Sequence, residues 1–355
     1  MAYTTINKPG LHFNTKLYTG DGSNDSAQTG VGFKPDWLWI KARSQTYDHM
    51  LFDRVRQGSD SQPYDMRSNT TGAQSSDTSN VKSFDTDGFT LNNGGYINGN
   101  SVSFASWNWK AANSAGVTNN DGTIQSTVSV NAAAGFSIIK WTGSGSAGTV
   151  GHGLSATPVL TIRKVYSGTG DWFVHTTLID DSLDFLKLNT TAAKSDSSLA
   201  GFTSTTVGVT NNTSNTVLYA FTPIKGYSAF GVYSGNGNTD GPFIYTGFKP
   251  AFVLTKVTST TDGWSLTDSA RDKVETPNGA RLLAQDTQAE QTNETWALIE
   301  KYSNGFKLRG TDNVTNANGQ TYLYLAFAAE PFVANVGSKG IPTTASDTRY
   351  LWLEY

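Results

Sequence analysis

The feature that most constrains this chain is that it repeats itself three times. An aromatic residue, a small hydroxyl residue and a Gly-x-Gly turn occur as Tyr18-Thr19-Gly20-Asp21-Gly22, Trp141-Thr142-Gly143-Ser144-Gly145 and Tyr233-Ser234-Gly235-Asn236-Gly237. Each is followed by a lead-in that ends on proline: Gly32-Phe33-Lys34-Pro35, Gly153-Leu154-Ser155-Ala156-Thr157-Pro158 and Gly247-Phe248-Lys249-Pro250. Proline fixes φ and has no N–H, so it suits the first residue of a strand. The runs after it (Asp36–Lys41, Val159–Lys164, Ala251–Lys256) are apolar at nearly every position, as in strands covered on both faces. Their closing Lys or Arg is expected to mark the strand's exit to water. Each copy closes on an alternating aromatic strand, Val102–Trp109, Thr216–Phe221 or Thr321–Phe327. Asp87-Gly88 and Asn304-Gly305 read as hairpin turns inside copies one and three.

Composition agrees with strands joined by tight turns. Only 15% of residues are charged, Gly is abundant at 36, and there are 9 Trp, 15 Tyr and 18 Phe. The expected fold class is all-β: three tandem β-sandwich or jelly-roll-like units with little helix. The expected boundaries are an N-terminal segment at 1–16, repeat one at 17–112 and a linker with one strand (Gly122–Val130) at 113–135. Repeat two then spans 136–225, repeat three 226–335, and a C-terminal tail 336–355. Each repeat is long enough to hold its own core. The short join Pro223–Tyr227 predicts close packing of copies two and three.

Several function classes are disfavoured. The net charge is −3 without a basic run, which argues against nucleic acid as a partner. The chain has no Cys, which removes thiolate nucleophiles and Cys-based zinc sites. No stretch approaches the roughly 20 apolar residues of a membrane helix, so membrane insertion is not expected. The first residues show no apolar leader, and folding in a cytoplasm is expected. Gly143-Ser144-Gly145-Ser146-Ala147-Gly148 fits a dinucleotide fingerprint, but Thr149-Val150-Gly151-His152-Gly153 cannot start the helix such a site needs, and no cofactor is expected. Asp85-Thr86-Asp87-Gly88 lacks the further ligands of a calcium loop. The four His share no metal-ligand spacing, and no nucleophile elbow appears. No catalytic or metal-binding residue is therefore nominated, and an enzyme is not expected. Asp53 and Arg56 recur as Asp268 and Arg271, which suggests a salt bridge or turn clamp; copy two has His175 and Leu178 there. Most Trp should be core. Tyr47, Trp172 and Trp264 are the candidates for contact with a glycan or partner.

Phe13–Gly20, Val31–Lys41, Asp87–Leu91, Tyr227–Gly237, Asn304–Arg309 and Tyr322–Phe332 together resemble a repeated domain of unknown function found in virion structural proteins of marine tailed phages. The resemblance covers nearly the whole chain. It implies a non-enzymatic tail-fibre or host-surface adhesin component, made in the host cytoplasm and resident in the virion. The implied partners are other tail or capsid proteins and a host surface glycan or outer-membrane receptor, with a homo-oligomer, a trimer above all, as the assembly. A capsid or tail decoration protein without a receptor role is the alternative, and a surface-glycan depolymerase is a third. In this reading Tyr3, Ile6, Leu11 and Phe13 of the N-terminal segment attach the protein to the virion. Copy two departs most from the pattern, so any specialised copy is expected to be that one.

Overall fold

The computed structural model describes residues 4–57, 62–272, 279–292 and 295–330. Copy one contributes β1 (Phe13–Thr19), β2 (Ser26–Thr29), β3 (Trp37–Ala42), β4 (Met50–Gln57), β5 (Pro63–Arg67), β6 (Val81–Asp85), β7 (Gly88–Leu91), the one-turn helix α1 (Gly95–Asn98) and β8 (Ser103–Trp109). The join adds β9 (Val117–Asn119) and β10 (Ser126–Asn131). Copy two contributes β11 (Phe136–Thr142), β12 (Gly148–Gly151), β13 (Leu160–Val165), β14 (Phe173–Thr176), β15 (Asp184–Lys187), β16 (Ser195–Asp196), β17 (Thr206–Val209) and β18 (Asn215–Phe221). Copy three contributes β19 (Ser228–Ser234), β20 (Phe243–Tyr245), β21 (Phe252–Val257), β22 (Trp264–Asp268), β23 (Leu282–Leu283), β24 (Ile299–Tyr302), β25 (Gly305–Leu308), α2 (Asn313–Asn316) and β26 (Thr321–Phe327).

The chain is nearly all β, arranged in several antiparallel sheets. The large sheets run β1-β8-β3-β4-β5 in copy one and β19-β26-β21-β22-β23 in copy three. Copy two has the matching run β11-β18-β13-β14-β15 inside a wider sheet, extended by β16 at one edge and by β10-β9 at the other. The join at 113–135 is therefore two strands of that sheet rather than a linker alongside it. Smaller sheets, β2-β7-β6, β12-β17 and β20-β25-β24, stand apart from the large ones. Among the described residues no sheet runs from one copy into another.

The central third strands are buried along their length, save Val165 at the end of β13, because both faces of each large sheet are covered. One face meets the copy's own small sheet. In copy one Leu38, Ile40, Phe52 and Phe104 pack with Phe84 and Phe89; in copy three Val253 and Tyr324 pack with Ile244, Phe306 and Leu308. The opposite faces of all three large sheets meet in one shared cluster. It includes Trp37, Trp39, Trp107 and Trp109 from copy one, Ile138, Trp172, Tyr219 and Phe221 from copy two, and Phe252, Trp264, Leu325 and Phe327 from copy three. Trp109, Phe221 and Phe327 occupy the same register position in their copies. The Phe327 ring meets the other two edge-on, at centroid distances of 5.7 Å and 5.9 Å.

Hydrogen bonds between copies close a ring. Trp172 Nε1 of copy two donates to Arg67 O of copy one (2.9 Å), and Trp264 Nε1 of copy three donates to Lys187 O of copy two (3.0 Å). His49 fills the matching place in copy one. Its Nδ1 accepts from Trp39 Nε1, which leaves Nε2 to donate to Leu283 O of copy three (3.0 Å). A second ring uses backbone alone: Gln74 N to Tyr166 O, Lys194 N to Thr258 O and Glu290 N to Arg43 O.

The strand-closing lysines do not exit to water. Lys41, Lys164 and Lys256 are fully buried, because the segment after the fifth strand of a neighbouring copy crosses the end of each third strand. Lys164 Nζ donates to Val165 O and to Thr71 O of copy one, and Lys256 Nζ to Val257 O and to Thr191 O of copy two. Lys41 Nζ donates to Ala42 O and Gln45 O.

Candidate functional site

Of the residues nominated for partner contact, Trp172 and Trp264 lie in the shared core, with no surface to offer a ligand. Their indole N–H groups serve the ring between copies, so their role is structural. Tyr47 is half-buried; its ring lies 5.2 Å from that of Tyr96, which also carries the Arg67 guanidinium at 5.2 Å. In the N-terminal segment, Ile6 and Phe13 are also buried in the shared core. Phe13 touches Trp109, Phe252 and Phe327, so its apolar surface is spent inside the chain rather than on a virion partner. Leu11 is exposed, and Tyr3 and the tail 336–355 lie outside the described residues.

The motifs weighed for ligand chemistry resolve into local structure. Gly143–Ala147 is the turn from β11 to β12, and Gly148 opens β12. In all three copies the second Gly of this turn has a positive φ (Gly22 68°, Gly145 79°, Gly237 64°). A Cβ on the first would fall within 2.1–2.3 Å of a carbonyl oxygen, that of Gly99, Asn212 or Ala317. Asp85 accepts from Ser83 and Thr90, and Asp87 accepts from the amides of Gly30 and Gly32. Among the described residues no group of three His, Asp or Glu is placed to hold a metal ion.

Asp53–Arg56 and Asp268–Arg271 are salt bridges with Nε–Oδ2 distances of 2.5 Å, and all four side chains are fully buried. Burial works against their charges, but the pairing outweighs it: the Asp268 carboxyl is held below its ordinary range, and the Arg56 and Arg271 guanidinium groups above theirs. Each carboxylate also accepts a bond from another copy, Asp53 from Tyr219 Oη (2.7 Å) and Asp268 from Trp107 Nε1 (3.0 Å). In copy two the register places Thr176 opposite Leu160, where Asp53 and Asp268 stand opposite Trp37 and Phe252. The equivalent of Asp53 is therefore Thr176, not His175. The position matching Trp107 and Tyr219 is Leu325. Where the acid is missing, its donor is missing too, so no unpaired charge or donor is left at this position.

The surface feature that the repeat pattern did not disclose lies on copy three. Five of the eight exposed large apolar side chains among the described residues belong to it: Val232, Phe243, Tyr245, Trp296 and Tyr302. Strand alternation turns Ile244 and Phe306 of β20 and β25 inward and leaves Phe243 and Tyr245 outside, 45% and 63% exposed. Tyr302 on β24 is 37% exposed, and its ring lies 6.0 Å from that of Phe243. Gly305 lies beneath them; a Cβ there would sit 2.7 Å from Phe243 Cζ. Polar groups frame the rings. Glu300 accepts from Tyr302 Oη (2.5 Å) and Arg309 Nε (2.7 Å), while Asp240 pairs with Lys307 (2.8 Å) and Arg309 (3.3 Å). Partial burial raises the Glu300 carboxyl, but its bonds to Tyr302 and Arg309 hold it below its ordinary value, and Lys307 does the same for Asp240.

Copy one supplies an internal comparison. Its β2-β7-β6 sheet pairs in the same register, so Ala27, Thr29, Ser83, Asp85 and Thr90 occupy the places of Phe243, Tyr245, Glu300, Tyr302 and Lys307. Gly88 stands where Gly305 does, and in both a Cβ would strike a backbone oxygen, that of Gln28 or Ile244. The backbone thus needs the glycine in both sheets, but the aromatic rings in neither. In sequence the signal was Phe243-Ile244-Tyr245 against Ala27-Gln28-Thr29, readable only once the sheets were aligned.

No curated protein matches this chain. Residues 8–331 match the family described as Domain of unknown function (DUF7483), which spans all three copies. The chain therefore belongs to that family.

Proposed function

We propose that this protein is a non-enzymatic structural component of a virion that attaches to the host surface, and that copy three carries the attachment face. In this reading each copy is a sandwich of its large and small sheets, and the three sandwiches stand on one shared core. The observation that carries the attachment role is the outward row of Phe243, Tyr245 and Tyr302, at places where copy one keeps Ala27, Thr29 and Asp85. A row of exposed rings lowers solubility and adds nothing to folding, and exposed aromatic clusters rimmed by polar groups mark contact surfaces. The virion location rests on the resemblance noted in the sequence. A homotrimer would present three such faces at once and multiply a weak contact through avidity.

Adhesion of purified protein to host cells tests the proposal, together with immunolabelling of intact particles. The expected result is saturable adhesion that blocks infection, with label on the tail. Absence of adhesion at high protein concentration, or label spread over the capsid in high copy, sinks the attachment role and favours a decoration protein.

A further inference from the structure

We infer that the outer face of the β20-β25-β24 sheet binds a neutral glycan, an inference that rests on the attachment reading and names the ligand chemistry of the same face. Phe243, Tyr245 and Tyr302 present ring surface to solvent. A pyranose ring offers a face of C–H bonds with partial positive charge, which stacks on the negative face of an aromatic ring. Hydroxyl groups around that sugar need donors and acceptors in reach. Glu300, Asp240, Lys307 and Arg309 supply both kinds beside the rings.

Charge decides the class of glycan. Two carboxylates and two cations frame the face and pair with one another, Arg309 joining both acids. No excess of either sign remains among these four groups. An acidic polysaccharide would have to compete for cations already engaged, whereas a neutral one can bond to the outer lone pairs and N–H groups without breaking a pair.

The chain's own first copy designs the test. The triple variant F243A/Y245T/Y302D places copy one's residues on the same backbone geometry and should fold as the wild type does, checked by circular dichroism and melting temperature. Binding is measured by calorimetry and saturation-transfer NMR on the full chain with cellohexaose, mannohexaose and chitohexaose, and with an alginate hexasaccharide as the acidic probe. The expected result is binding of at least one neutral hexasaccharide, weakened at least about tenfold in the triple variant. Unchanged binding in the folded variant, no binding of any neutral probe, or preference for alginate overturns the inference. Host-cell adhesion separates this inference from the one beneath it. Adhesion lost in the triple variant without neutral-sugar binding removes the glycan but keeps attachment, whereas sugar binding without adhesion does the reverse.

Discussion

At the scale of single residues, the two buried Asp–Arg clamps are informative because each acid has partners both in its own turn and in another copy. Asp53 holds Arg56 and accepts from Tyr219. Removing it in Asp53→Ala leaves a guanidinium unpaired in the interior, and the expected cost is about 3–5 kcal/mol in chemical denaturation. Thr176→Ala at the equivalent place removes an uncharged hydroxyl that donates to Val159 O and accepts from Leu178 N, and about 1–2 kcal/mol is expected. Equal losses at the two sites would contradict this account. Titration offers a second measurement. Burial lowers Lys41, Lys164 and Lys256 to about 8, against an ordinary value of 10.5. Between those values the unfolded chain binds more protons than the folded one, so stability rises with pH across that window. Burial raises the phenols of Tyr18, Tyr219 and Tyr233, so above pH 10 the unfolded chain loses protons that the folded chain keeps, and stability falls. The urea midpoint followed from pH 8 upward should therefore climb and then turn over. A midpoint that only falls across this range would mean that the lysines are solvated.

Among the elements, the Gly-x-Gly turns show how a motif can be constant for backbone reasons. Gly20, Gly143 and Gly235 each lie against a carbonyl oxygen at 2.1–2.3 Å from where a Cβ would stand. Alanine at any of the three should cost about 1–3 kcal/mol, read as a lower melting temperature, and the three losses should be similar. A tolerated alanine in one copy would show that its turn can shift. The third strands illustrate the same link between sequence and packing. Their nearly unbroken apolar runs announced strands covered on both sides, and β3, β13 and β21 are buried save for Val165 at the end of β13. What the runs could not announce was the identity of the second cover. Trp172 and Trp264 followed acid-marked turns, a common setting for surface rings, yet both face the neighbouring copy.

For the whole molecule, the shared cluster ties the copies together more tightly than a chain of separate units would be. Trp37 stacks on Tyr219 of copy two at 4.4 Å, and Phe13 touches Phe252 and Phe327 of copy three. An isolated copy would expose its half of this cluster to water. Calorimetry of the full chain should accordingly show one cooperative transition. A fragment holding residues 136–225 alone should lack near-ultraviolet dichroism and bind a hydrophobic dye. Three separate transitions, or a well-folded fragment, would show that the inter-copy contacts are incidental. Specialisation also reads differently at this scale. Copy two is the outlier in its wider sheet and its missing Asp–Arg pair, but the exposed row of Phe243, Tyr245 and Tyr302 is on copy three.

Local sequence carried the threefold repeat, the main strands, the hairpins at Gly88 and Gly305 and the Gly-x-Gly turns, because all of these follow from steric and hydrogen-bonding rules that act within a few residues. Even the Asp–Arg clamp was visible, as two residues three apart that recur together. Tertiary structure alone decided which face of each large sheet met another copy, that three lysines would be roofed over, and that Thr176 would take the acid's place. It also decided which rings would face water. The physical reason is common to all: an aromatic side chain in an alternating strand is equally consistent with either face, and the choice depends on which surfaces, far apart along the chain, find each other in the shared core.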